Sequence, residues 1–210
     1  RFIVRPFQRY KIPLAILAVA LAVFGAIVFV VLYSQSGTRS TNLPTEFIDQ
    51  LDTTRRQILD SLLALQTNPN DSEARLKLAN LYYNIRNYRL AIKHYEEYLQ
   101  LKPNDLDSRT DYATTLFGAG QTDEAIRQTT MVLDKNPNHV QGNYNLGIMY
   151  WQGRRDYKAA AAQMAKVLVL TKGDDANSKQ VHADAAKTLV QLEKDAKAAG
   201  QALPSKLETN

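Results

Sequence analysis

The feature that most constrains this 210-residue chain is its likeness to itself at a shift of 34 positions. Pro69-Asn70 falls on Pro103-Asn104 and then on Pro137-Asn138, Ala91-Ile92 falls on Ala125-Ile126, and Leu99 falls on Leu133. A fixed period of this size marks a solenoid, in which each unit stacks on its neighbours because it cannot bury its apolar face alone. Within each unit the apolar residues recur at helical spacing, so the expected fold class is all-α.

The first copy, 72–105, carries Leu78-Ala79, Tyr82, Ala91, Tyr95 and Pro103, with Asn87-Tyr88 at the turn between its helices. The second, 106–139, carries Tyr112-Ala113, Leu116, Ala125, Thr129 and Pro137. The third, 140–173, carries Leu146-Gly147 and Tyr150, and needs one extra residue in 152–156 before Tyr157, Ala160 and Met164 fall into place. These positions resemble the tetratricopeptide repeat, whose pattern is W-x2-L-G-x2-Y, then A-x3-F, then P. The Trp slot departs from it, holding Arg75, Arg109 and Asn143. The resemblance implies three pairs of antiparallel helices. Small residues at 79, 113 and 147, and at 91, 125 and 160, would allow close packing, with Tyr82, Leu116 and Tyr150 filling the space between. Asn70 and Glu73 have the spacing of a capping box. Gly118, Gly120 and Gly153 are expected to loosen the turns.

An array of this kind needs end caps. The N-terminal cap is expected over 44–71, where Phe47, Leu51, Ile58, Leu62 and Leu65 share a helix stripe. The C-terminal cap is expected over 174–199, with Val181, Ala185, Leu189 and Leu192 on one face, Asp174-Asp175 at its start, and a polar tail over 200–210.

Ahead of the repeats, residues 12–33 form a 22-residue run without a charge. As a helix it would span roughly 33 Å, matching a bilayer core. The run is longer than the apolar part of a signal peptide, and no small-residue cleavage pattern follows it. A transmembrane helix is therefore expected, after a basic tail at 1–11 and before a linker at 34–43. Arg1, Arg5, Arg9 and Lys11 precede the run and Arg39 is the sole nearby cation after it, so the N-terminus is expected in the cytoplasm and the body across the membrane, in a bacterium the periplasm of the inner membrane. Ala15, Ala18, Ala22, Gly25 and Ala26 share a face, either a helix-packing surface or the ordinary alanine content of an apolar helix.

The net charge of +5 does not indicate nucleic acid, because residues 1–11 hold four of those charges and the rest of the chain is nearly neutral. With no cysteine there is no disulfide framework or thiolate metal site. His94, His139 and His182 lack metal-ligand spacing, and no phosphate loop, nucleophile elbow or zinc-protease motif occurs. Asp107 and Asp111 share a helix face, which is usually just a solvated one. Asn70-Asp71-Ser72 is a formal glycosylation sequon. No catalytic residue, cofactor, metal or small-molecule substrate is expected, and the chain is not expected to be an enzyme.

In tetratricopeptide arrays the first helix of each pair lines a groove. The resemblance places Tyr83, Phe117 and Trp151 there, as a partner-binding aromatic row or as ordinary repeat tyrosine positions. Asn80, Thr114 and Ile148, then Leu76, Thr110 and Tyr144, would flank it. Leu76, Asp111 and Asn145 occupy positions where carboxylate-clamp repeats would need cations, so such a clamp is not expected. Arg154-Arg155 could meet an acidic partner or simply form an exposed basic turn. The function expected is a non-catalytic, membrane-anchored scaffold subunit of a larger membrane complex, with other protein subunits and the lipid bilayer as partners. The alternative is a transient assembly factor or chaperone.

Overall fold

The computed structural model describes residues 45–173, 175–201 and 203. The described residues are helical throughout, in the order α1 (Thr45–Thr67), α2 (Ser72–Asn84), α3 (Tyr88–Leu101), α4 (Leu106–Gly118), α5 (Thr122–Lys135), α6 (Val140–Ile148), a π-helical turn (Met149–Arg154), α7 (Tyr157–Leu170) and α8 (Ala176–Ala198). Helices α2/α3, α4/α5 and α6/α7 form three packed pairs, and each pair rests on the next through α3/α4, α5/α6 and α7/α8. The three pairs fall within 72–105, 106–139 and 140–173.

Side-chain caps set the starts. Asp71, Asn87, Asp105, Asp156 and Asp175 each accept a hydrogen bond from the backbone N–H three residues on, at 2.9–3.3 Å. Such a cap satisfies one of the donors that a helix start leaves orphaned. The cap of α2 is thus Asp71, not the predicted Asn70, whose own N–H donates to Asn68 Oδ1 at 3.2 Å. The aspartate is better placed because its carboxylate also complements the positive end of the helix dipole.

The predicted small residues are buried: Ala79, Ala91, Ala113, Ala125 and Ala160 have no exposed area, and Gly147 is buried. Around them lie Tyr95, Tyr98, Tyr112, Leu116 and Met149 in one cluster, and Tyr157, Met164, Val167, Ala185 and Leu192 in a second. Tyr150 packs against both. Thr129 takes the slot that Tyr95 fills one unit earlier, and Met149 supplies the missing bulk, its sulfur 3.5 Å from the threonine hydroxyl.

The extra residue of the third unit is absorbed by the π-helical turn, which ends at Arg155 with φ 53°. Gly153 lies inside that turn and loosens nothing. A Cβ there would stand 2.5 Å from Thr122 Cγ2 and 3.0 Å from Phe117 Cε2, so its role is close approach.

The two expected caps fare differently. Helix α8 packs along α7, with Ala185 and Leu192 buried in the second cluster and Val181 and Leu189 half-buried against it. The chain divides at Leu51/Asp52 into two units, and the part of α1 in the second unit leaves Leu59, Leu62 and Leu63 between 41 and 62% exposed. No described helix packs extensively along it, so it does not seal the repeats as an N-terminal cap should. Ile58 and Leu65 are half-buried, and the side chains of Phe47 and Leu51 are outside the description.

The expected transmembrane segment at 12–33, its face Ala15, Ala18, Ala22, Gly25 and Ala26, the basic tail and the linker lie outside the described residues. Among the described residues no helix is long and apolar enough to cross a membrane.

Candidate partner-binding face

Helices α2, α4, α6 and α8 contribute to one continuous line of contacts. Asn80, Tyr83 and Asn84 of α2, Asp111 and Thr114 of α4, and Tyr95 beneath them line a cavity of about 320 Å3. Asn145 Nδ2 of α6 donates to Thr114 Oγ1 at 2.9 Å, and Gln141 Nε2 donates to Asn145 Oδ1 at 2.7 Å. Tyr144 Oη of α6 lies 3.4 Å from Thr188 Oγ1 of α8. A second cavity, of about 580 Å3, opens between Tyr144 and Trp151 on one side and α8 on the other.

Tyr83, Phe117 and Trp151, the residues of the expected aromatic row, are each half-buried. Tyr83 meets the ring of Tyr88 with centroids 6.1 Å apart. Phe117 packs beside Gly153. Trp151 donates its indole N–H to Asp195 Oδ2 at 3.0 Å. Among the flanking residues, Asn80 is exposed and holds the Tyr95 hydroxyl through its Oδ1 at 2.5 Å. Leu76, Thr114, Tyr144 and Ile148 are half-buried. Thr110 does not fit the expectation. It is 1% exposed, with its hydroxyl donating to Leu106 O at 2.8 Å, because the helix turns that position into the core.

The electrostatics are uneven along this face. Burial, then Asp107 and Asp105, push the Asp111 carboxyl above its ordinary value. Burial and the neighbouring Asp111 raise the Tyr95 phenol strongly, so it stays a neutral donor. Asp105 is also penalised by burial, but hydrogen bonds from Tyr98 and from Ser108 outweigh this and hold its carboxyl low. His139 joins two units, with Nε2–H donating to Asp107 Oδ1 at 2.9 Å and Nδ1 accepting from Gly142 N–H at 3.0 Å. The second bond requires the Nε2-protonated tautomer. Arg154 pairs with Asp123 at 2.7 Å, while Arg155 makes no ion pair among the described residues.

A recurrent device was hidden in the residues that depart from the repeat pattern. Arg75, Arg109 and Asn143 each donate to the backbone carbonyl of the proline six residues earlier, Pro69, Pro103 and Pro137. Arg75 also pairs with Glu97, and Arg109 Nη1 donates to Gln128 Oε1 at 2.8 Å. The signal was in plain view as a polar residue recurring at 34-residue spacing, each time six after Pro. Among the described residues no group of His, Asp or Glu could hold a metal ion.

Two tetratricopeptide-repeat family models match the chain, one over residues 56–105 and one over 86–144. Residues 56–144 are thus similar to tetratricopeptide repeats. The first match begins inside α1. No curated protein matches the sequence. Among solved structures, the repeats resemble residues 41 to the end of MamA from Desulfovibrio magneticus RS-1, at 16% identity and TM-score 0.54, covering 73% of this chain and 91% of that one. A MamA RS-1 ArsTM double mutant gives 17% identity and TM-score 0.54, covering 73% and 92%. A further MamA structure gives 19% and 0.52, covering 76% and 97%. At these identities the likeness is one of fold. The tetratricopeptide architecture is suited to holding protein partners, and nothing among these findings indicates catalysis.

Proposed function

We propose that this chain is a non-catalytic scaffold subunit of a larger membrane complex, held to the bilayer by a helix at 12–33 and docking a soluble protein partner on the face built from α2, α4, α6 and α8. The observation that carries the docking half is the pair of open cavities on that face, one between α2 and α4 and one between α6 and α8. The charge-free 22-residue run behind four basic residues supports the anchor, with the N-terminus cytoplasmic and the repeats on the far side.

The test is native sizing after extraction in mild detergent from the source membrane, with identification of every co-migrating protein. A single large species with fixed subunit ratios is the expected result. A mostly free pool with changing partners would replace the scaffold by a transient assembly factor, and a chain that co-migrates with no protein would remove both. Recovery in the soluble fraction without detergent would remove the anchor.

A further inference from the structure

Trp151, the only tryptophan of the chain, stands between two cavities. The larger, between α6 and α8, is lined by Tyr144, Trp151, Lys187, Val190 and Lys194 among others. The other, about 570 Å3, is lined by Trp151, Gln152, Arg155, Tyr157 and Asp195 among others. The polar groups of the aromatic wall are already engaged, since the indole N–H is given to Asp195 and the Tyr144 hydroxyl meets Thr188. Ring faces therefore remain, with Val190, 52% exposed, opposite them.

The charges around this wall are satisfied unequally. Asp195 accepts from Trp151 and from Gln191 Nε2 at 2.8 Å, and both oxygens of Asp184 accept from Gln180 Nε2 at 3.1 Å. Lys187, Lys194 and Arg155 have no ion pair and no side-chain hydrogen bond among the described residues. The linings of the two cavities thus carry three cations against two carboxylates, and it is the cations that lack partners. At the other end of the same face the α2/α4 cavity is lined by Asp111 and by no cation, so the α6/α8 end, with its three cations, is the better place for an acidic ligand.

We propose that the paired cavities around Trp151 dock a short acidic segment of a protein partner, an apolar side chain lying on the Tyr144–Trp151 wall and carboxylates meeting Lys187, Lys194 and Arg155. This rests on the docking reading above and specifies its ligand. Burial of the apolar anchor would supply affinity, and the cations would supply selection by charge.

The full chain in uncharged detergent can be titrated with synthetic peptides of about 12 residues built from Glu, Leu, Gly and Ser, with Trp151 emission as the readout. Companion peptides replace every Glu by Lys, or every Leu by Ser. The Glu/Leu peptide should shift the emission, and both companions should bind at least about tenfold more weakly. The double variant Lys187→Glu/Lys194→Glu should lose about tenfold in affinity for the acidic peptide and gain the lysine one. Both positions are exposed and glutamate favours a helix, so α8 should persist, which circular dichroism checks.

Equal binding of the acidic and basic peptides, unaltered binding by the double variant, or no emission change with any peptide would overturn the proposal. So would a preference for anionic-lipid vesicles or single-stranded DNA over the acidic peptide. A partner that still co-migrates with the double variant in native sizing would sink this pocket and leave the scaffold standing.

Discussion

Arg86, Gly120 and Arg155 occupy the same place in successive units, the turn between paired helices, and all three have positive φ: 58°, 79° and 53°. Only glycine adopts that region without a Cβ penalty, which is about 1–2 kcal/mol for other residues. Gly120→Ala should therefore destabilise the chain by about 1 kcal/mol, whereas Arg86→Gly should be neutral or slightly stabilising despite the added freedom of the unfolded chain. Paired urea melts should show a loss for Gly120→Ala alone; a loss of stability in both would refute the conformational argument. His94 gives a pH dependence. Burial lowers its pKa from the ordinary 6.5, against the pull of Glu97 at 3.7 Å and with the help of Lys93 and Arg75, while its ring stacks on Tyr82. The folded state keeps the imidazole neutral and the unfolded state protonates it, so this contribution is complete above pH 6.5 and falls as the pH drops below that value. His94→Gln, which installs the residue found at the equivalent Gln128, should flatten that slope in stability measured between pH 7.5 and 5. An unchanged slope would assign the pH dependence elsewhere.

Among the elements, the π-helical turn is where the repeat is altered most. One inserted residue swings a helix by about 100° per position, so the chain after Arg155 re-enters the packing in phase only because the turn takes up the surplus. Its location within 152–156 was legible, because Tyr157, Ala160 and Met164 fit the pattern only after a one-residue step. Its consequence was not, since nothing local to Trp151 announces that its partner lies 44 residues away in α8. Deleting Arg155 should restore the 34-residue spacing, retain helical content, and break the Trp151–Asp195 hydrogen bond, seen as a change in the sole tryptophan's emission. Identical emission would mean that the turn does not position the indole. The polar staples left a visible spacing, but their partners could not be read from it. Arg75, Arg109 and Asn143 depart from the apolar tryptophan the pattern asks for, and only the backbone turn places the preceding proline carbonyl within their reach. Arg109→Met should cost about 1 kcal/mol in chemical denaturation, the loss of hydrogen bonds to Pro103 O and Gln128 Oε1 being partly offset by solvent at this half-buried site.

On the scale of the whole molecule, the periodicity specified which residues are interior far better than it specified the ends. Ala79, Ala113 and Ala125 could be placed in the core because close helix pairs demand small residues at that period, and Val181 to Leu192 because a stripe facing α7 must be buried. The leucines of α1 carry the same helical spacing, yet no described neighbour covers Leu59, Leu62 and Leu63, since spacing says which face is apolar and not what meets it. The groove expectation divided along similar lines, with Asn80 and Tyr83 at a cavity but Thr110 turned into the core. Solenoid stability depends on each unit's neighbours. A chain ending at residue 175 should therefore lose the third unit first, because Ala185, Leu192 and Ala196 no longer cover Met164 and Val167. Denaturation should change from one transition to two, with the early one seen by Trp151 emission. A single transition at the original midpoint would show that α8 is dispensable.

The odd spacing of the third unit bears on engineering. Consensus repeats are attractive as interchangeable modules, cut and joined on a 34-residue ruler. Here a graft whose junction falls after Gly153 would put every downstream side chain one register out, turning Ala160 and Met164 away from their seats. An interchangeable third module must carry its own Arg155, and a swap bounded at the Asn136–His139 turn and at Thr171 would transfer the inserted turn intact, along with the tryptophan it orients.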